Sequence, residues 1–200
     1  MALDAYRSKR NFRKTSEPAG VKTSSAKAGK PPLIFVVHKH ASSHLHYDVR
    51  LELGGILKSW AVPKGPSMDP KDRRLAMHVE DHPYAYKDFE GTIPEGQYGA
   101  GRVIVWDRGT YSSLPPVESE EALIRAYRKG HLSIILKGKK LKGEFGLVRV
   151  RSSKYGRNDG RVWLLIKAKD EYATKKDVLK DDTSALSRRR LPNPPKRTAV

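Results

Sequence analysis

Two hundred residues, 38% hydrophobic and 31% charged, suit one domain with a real core and polar extensions, and 40 Lys and Arg against 22 Asp and Glu give a formal charge of +18. An excess of that size favours a polyanionic partner, nucleic acid first, because each neutralised phosphate releases counterions. The absence of cysteine excludes disulfides and thiolate metal sites, so a metal must sit on His, Asp or Glu, and no apolar run approaches the roughly 20 residues of a membrane helix.

The opening MALDAYRSKRNFRK lacks the apolar centre of a secretion signal, so a cytoplasmic protein is expected. Residues 7–30 are basic, small and polar and read as an arm or loop. LIFVVHK (33–39) is apolar and β-branched. LHYDVRLEL (45–53) alternates strictly, and Gly54-Gly55 turns it into ILKSWAV (56–62), a strong hairpin signal. RLAMHVE (74–80), GRVIVWD (101–107), HLSIILK (131–137), EFGLVRVRS (144–152) and RVWLLIKA (161–168) are further predicted strands. One helix is predicted among them. Ser119 caps it, Glu120 and Glu121 suit its positive end, Leu123 and Tyr127 fall at i,i+4, and Gly130 stops it. Residues 183–200 join an arginine triplet to three prolines and read as a disordered tail with general affinity for DNA.

The expected protein is mainly β: a small closed or strongly curved β-barrel with one or two accessory helices and basic flexible termini. The expected division is an arm at 1–30, the barrel at 31–180 and the tail at 181–200. Nothing in the pattern suggests a coiled coil or an obligate interface, so a monomer is expected.

Four of the seven histidines, His38, His40, His44 and His46, fall within nine residues. Strand parity puts Tyr47, Val49, Leu51 and Leu53 on one face of 45–53 and His46, Asp48, Arg50 and Glu52 on the other. The same parity in 74–82 groups Arg74, His78, Glu80 and His82. His46 and Asp48 can reach one cation, and His40, in the approach to the strand, can supply a third ligand. Arg50 follows on the same face, and a guanidinium forks onto phosphate oxygens; Lys64 and Arg74 add positive charge. His38, His44, His78 and His131 are read as spectators. Two rival classes fit the same residues. A non-haem iron oxygenase also uses two histidines and a carboxylate, with His82 or His131 as distal ligand, although it has no need of such a charge. A DNA-binding repair accessory without catalysis would use the groove only as a phosphate platform.

HKHASSHLHYDVRLEL, SWAVPKGPS, HVEDHPYAYKDFEG and TIPEGQYGAGRVIVWDRGTY resemble the 3′-phosphoesterase domain of bacterial DNA ligase D, over roughly residues 3–175. KGKKLKGEFGLVRV and WLLIKAKDEYA are similar too. With no polymerase or ligase segment in the sequence, the free-standing form is expected. The resemblance implies a small β-barrel that heals DNA 3′ ends in non-homologous end joining. A phosphodiesterase step removes a terminal ribonucleoside, and a phosphomonoesterase step then converts the 3′-phosphate to 3′-OH. It implies Mn²⁺, with other divalent metals as alternatives, on His40, His46 and Asp48. Arg50 and His82 would contact the scissile phosphate, with Arg74, Lys64, Glu80 and Tyr86 at further active-site positions. The implied partners are primer–template ends carrying a 3′-ribonucleotide or 3′-phosphate, and a separate ligase, polymerase or Ku. KRNFRKTSEP matches the family's arm at Arg10 and Glu17, and Asn11 stands where the family has an acid, keeping a hydrogen-bonding oxygen without the charge. His82 has two open roles, hydrogen-bond donor to phosphoryl oxygens or general acid to the leaving group.

Overall fold

The computed structural model describes residues 3–20, 32–116, 119–150 and 159–191. Among the described residues are ten strands: β1 (Ile34–Ala41), β2 (Leu45–Leu53), β3 (Ile56–Val62), β4 (Arg73–His78), β5 (His82–Pro83), β6 (Gly91–Ile93), β7 (Gly101–Ser113), β8 (His131–Gly138), β9 (Lys142–Arg149) and β10 (Val162–Lys167). The same residues hold two α-helices, α1 (Asp4–Ser8) and α2 (Glu120–Lys129).

Eight strands close an antiparallel barrel in the order β1-β2-β3-β4-β10-β9-β8-β7, and β7 pairs back onto β1. Closure leaves no long edge among these strands to template aggregation. The short strands β5 and β6 hang from β3 and β7. The predicted hairpin holds as read: Leu53 faces Ile56, and Gly54 and Gly55 have φ of 66° and 73°, the left-handed pair that a two-residue turn requires. Helix α2 also matches its signals. Ser119 Oγ accepts from the Ala122 amide at 3.3 Å, and Gly130 ends the helix at φ 85°.

All eight barrel strands send apolar side chains to one interior, including Phe35, Val49, Leu51, Trp60, Ala76, Trp106, Ile134, Phe145 and Trp163. A second, smaller core lies on the outer wall. It joins Val36, Leu57, Val103 and Val105 to Tyr6, Tyr86, Phe89 and Ile93. Both faces of the β1–β2–β3 wall are therefore covered, one by the barrel and one by the arm and the β5–β6 segment.

Three expectations change. The arm is no loose terminus over residues 3–20: Tyr6 is fully buried and its hydroxyl donates to Pro18 O at 2.8 Å. The first part of the expected tail is docked. Leu191 and Ala185 are buried, the Ala185 amide donates to Val105 O at 2.8 Å, Trp106 Nε1 donates to Asp181 O at 2.6 Å, and Arg190 pairs with Asp182 at 2.9 Å. Small and apolar residues spaced through a basic run pack on the barrel there, and the exposed Arg190 pairs with Asp182. Residues 192–200, 21–31 and the 151–152 end of the predicted 144–152 strand lie outside the described residues. The shared face read for 74–82 does not form. Ala76 points into the barrel, so Arg74 and His78 share its inward parity, and the strand ends at His78 before Glu80 and His82.

Gly101 fixes the join of β1 and β7 beside the histidine cluster. It sits at φ 142°, and a Cβ there would lie 2.2 Å from the Ala41 carbonyl oxygen. Gly101→Ala is expected to cost about 1–3 kcal/mol, read as a lower urea midpoint with unchanged slope; an unchanged midpoint would contradict this close approach.

Candidate metal and phosphate site

The antiparallel register of β1 and β2 builds the site. His40 lies directly opposite His46, His38 opposite Asp48, and Val36 opposite Arg50. Opposed residues point to one face, so two strands deliver three histidines, a carboxylate and a guanidinium to the outer wall. His40 is thus a strand residue facing His46 rather than part of an approaching loop.

His40 Nε2 donates to Gly99 O at 2.9 Å, and His46 Nδ1 donates to His44 O at 2.9 Å. A carbonyl only accepts, so each bond fixes a tautomer and leaves the opposite ring nitrogen with a free lone pair. Those free nitrogens face Asp48: His40 Nδ1 is 3.8 Å from Oδ2, and His46 Nε2 is 3.6 Å from Oδ1. The ligand atoms of the three residues lie within 4.8 Å of one another. Burial opposes ionisation of Asp48, but Arg50 and the two imidazoles outweigh it and hold its carboxyl far below the usual range. An ionised carboxylate and two imidazole lone pairs, oriented from behind by backbone carbonyls, fit a divalent metal. Neither His82 nor His131 belongs to this group.

Arg50 is the second half of the site. Nη2 donates to Asp48 Oδ2 at 2.9 Å, Nε donates to His38 Nδ1 at 3.2 Å, and the guanidinium lies 4.9 Å from the centroid of the Tyr86 ring. Nη1 is buried with no hydrogen-bond partner among the described residues. Leaving a charged donor unanswered costs more than making its bond gains, so that N–H stands as an uncompensated donor beside Asp48. His38, read as a spectator in the sequence, is placed in this group by its contact with Arg50. Its apolar neighbours suggested a core histidine, yet His38 and His40 share parity, which was the available signal.

His82 approaches from β5. Its Nδ1 donates to Glu80 O at 2.9 Å, and its Nε2 accepts from Arg10 Nη2 at 3.3 Å. Burial, followed by Arg50 and Arg10, keeps His82 neutral far below the ordinary imidazole value of 6.5, and burial and Arg50 do the same to His38. Arg10 also donates to Glu17 at 2.9 Å and Glu80 at 3.2 Å, while Tyr86 Oη donates to Glu17 at 3.0 Å. Hence Arg10, Glu17, Glu80, His82 and Tyr86 form one connected group with Arg50 and the metal-ligand cluster. Asn11 is exposed, and its Oδ1 accepts from the Arg13 amide at 3.1 Å, a turn contact that an aspartate would make equally. Lys64 and Arg74 stand apart. Lys64 is exposed after β3, Arg74 pairs with Asp72 at 2.8 Å, and neither shares a hydrogen bond or ion pair with the group.

The family model for the DNA ligase D 3′-phosphoesterase domain matches residues 38–149. The chain is 50% identical over 193 residues to the multifunctional non-homologous end joining protein LigD of Pseudomonas aeruginosa, covering 94% of this chain and 22% of that protein. It is 38% identical over 169 residues to the same-named protein of Mycolicibacterium smegmatis, covering 84% and 21% respectively. For the multifunctional non-homologous end joining DNA repair protein LigD of Mycobacterium tuberculosis the identity is 39% over 153 residues, covering 76% and 19%. The chain therefore spans about a fifth of the length of these curated relatives. No helix among the described residues is long and apolar enough to cross a membrane.

The buried neutral histidines set a pH dependence. Both have folded pKa values well below 6.5, so the unfolded chain binds more protons as pH falls below that value. Stability of the metal-free protein is expected to be full above about pH 7 and to fall towards pH 5, by at most about 1.4 kcal/mol per pH unit for each imidazole. Urea titrations should show that slope reduced in His82→Gln; a flat profile in the wild type would contradict the neutral state.

Proposed function

This chain belongs to the DNA ligase D 3′-phosphoesterase domain family, and from that membership we propose that it is a metal-dependent enzyme that heals DNA 3′ ends in non-homologous end joining. The observation that carries the reading is the orphaned Arg50 Nη1 beside Asp48 and two carbonyl-anchored imidazoles: an anion-binding donor next to a cation-binding set.

Two hydrolyses are proposed. In the first, water attacks the phosphorus that links a terminal ribonucleoside, and the bond from phosphorus to its 5′-oxygen breaks. That oxygen takes a proton, the nucleoside leaves, and a 3′-phosphate remains. In the second, water attacks the 3′-phosphate, the bond from phosphorus to the 3′-oxygen breaks, and phosphate leaves a 3′-OH suited to a ligase or polymerase. His40, His46 and Asp48 would hold a divalent ion, Mn²⁺ in this proposal, which supplies Lewis-acid neutralisation of phosphate charge.

The remaining roles fall to the chain itself. Arg50 Nη1 donates to a non-bridging oxygen, while Asp48 and His38 fix the guanidinium plane through its other nitrogens. His82 Nε2 accepts from Arg10 in this state. Negative phosphate charge beside it, single in the diester and double in the 3′-phosphate, favours the imidazolium, which then donates to a phosphoryl oxygen or passes its proton to the leaving oxygen. Glu17, held by Tyr86 and Arg10, keeps Arg10 turned towards His82. A substrate at chromosomal breaks fits a prokaryotic cytoplasm.

A 5′-labelled primer–template ending in one ribonucleotide tests the reading. Metal-stripped protein is expected to leave it intact and, with Mn²⁺, to convert it to the 3′-phosphate and then to 3′-OH. Arg50→Ala is expected to lower kcat by about 10²–10³-fold. Absence of processing with every divalent metal tried, from protein that still binds the DNA, would replace this reading with the accessory binder.

A further inference from the structure

The loop between β6 and β7 carries Tyr98, one of three large apolar side chains exposed among the described residues, with 49% of its surface in solvent. The loop is held by two successive turns, in which the Gln97 amide donates to Pro94 O at 3.2 Å and the Ala100 amide to Gln97 O at 3.1 Å. The next residue, Gly99, supplies the carbonyl that orients His40. Tyr98 is therefore one peptide from the support of a metal ligand. The arm meets it from another side. Lys9 Nζ lies 4.6 Å from the ring centroid and pairs with Glu80 at 3.1 Å, and the Arg10 guanidinium lies 5.6 Å from the centroid while bonding His82. The ring thus stands at the mouth of the site, between the backing of His40 and the Arg10–His82 pair. An exposed aromatic ring with cations beside it, next to a phosphate site, is an arrangement that holds a nucleobase: the ring stacks and the cations favour the adjoining phosphates.

We propose that Tyr98 is a specificity-determining residue that stacks on the base of the terminal ribonucleoside leaving in the first hydrolysis. The inference rests on the reaction proposed above. It goes further by assigning recognition of the leaving base, which Arg50 and His82 do not provide because they address the phosphate and its leaving oxygen.

Two measurements test it. The first uses a primer–template whose terminal ribonucleotide carries 2-aminopurine, added to metal-free protein so that no turnover is needed. Wild type and Tyr98→Phe are expected to quench its fluorescence on binding, and Tyr98→Ala, compared at equal saturation, to lose the quench. The second compares kcat/KM for ends with and without the terminal base. Removing the base, or the ring by Tyr98→Ala, is expected to cost about tenfold, and removing both no more than either alone. An unchanged quench in Tyr98→Ala, or losses that multiply, would overturn the proposal. A wild type that quenches but never cleaves would sink the proposed reaction while upholding the base platform.

Discussion

Asp48 and Arg50 form a nearly buried ion pair on the outer wall of the barrel, 2.9 Å apart, and the rest of the site is arranged around its cost. Removing two charges from water is unfavourable unless their other lone pairs and N–H groups are answered. Arg50 is answered by His38 and the face of Tyr86, whereas Asp48, beyond its bond to Arg50, faces two imidazole nitrogens whose lone pairs converge with its own. One donor, Nη1, is left over. The pair therefore joins the carboxylate of the His40–His46–Asp48 group to the guanidinium that carries the unanswered donor.

The barrel makes that wall possible. Closure of eight strands lets β1, β2 and β3 bury their inward residues among three tryptophans while offering a rigid outer face. The arm then covers the face with Tyr6 and brings Arg10 to His82, 72 residues away in sequence. The same small core that covers the wall places Arg10 against His82. The docked segment at 181–191 seals the barrel on β7 through Ala185 and Trp106.

Legibility in the sequence followed the range of the interaction. The β2–β3 hairpin and α2 were readable because their turn and cap residues act within a few positions. The shared face of His46, Asp48 and Arg50 was readable because strand parity is local, while His40 joins it through the β1–β2 pairing. The partner across the strand was not: that His38 faces Asp48 depends on the β1–β2 register. Parity misled at Arg74, because the reading carried one face through residue 82 although the strand stops at His78 and Ala76 turns inward. Burial of Tyr6 and Leu191 was hidden by basic neighbours, since composition averages over residues that a fold treats singly. The family resemblance supplied Arg10, Glu17 and Tyr86, for which residue spacing offered no signal, and the network now gives them a physical reason.

The proposed metal ion binds where Asp48 meets two anchored imidazoles. Titration of metal-stripped protein with Mn²⁺, following the free ion by electron paramagnetic resonance, tests this without DNA or turnover. One bound ion per wild-type chain is expected, with binding lost in Asp48→Asn and retained in Tyr98→Phe. No binding by the wild type, or binding unchanged in Asp48→Asn, would contradict it.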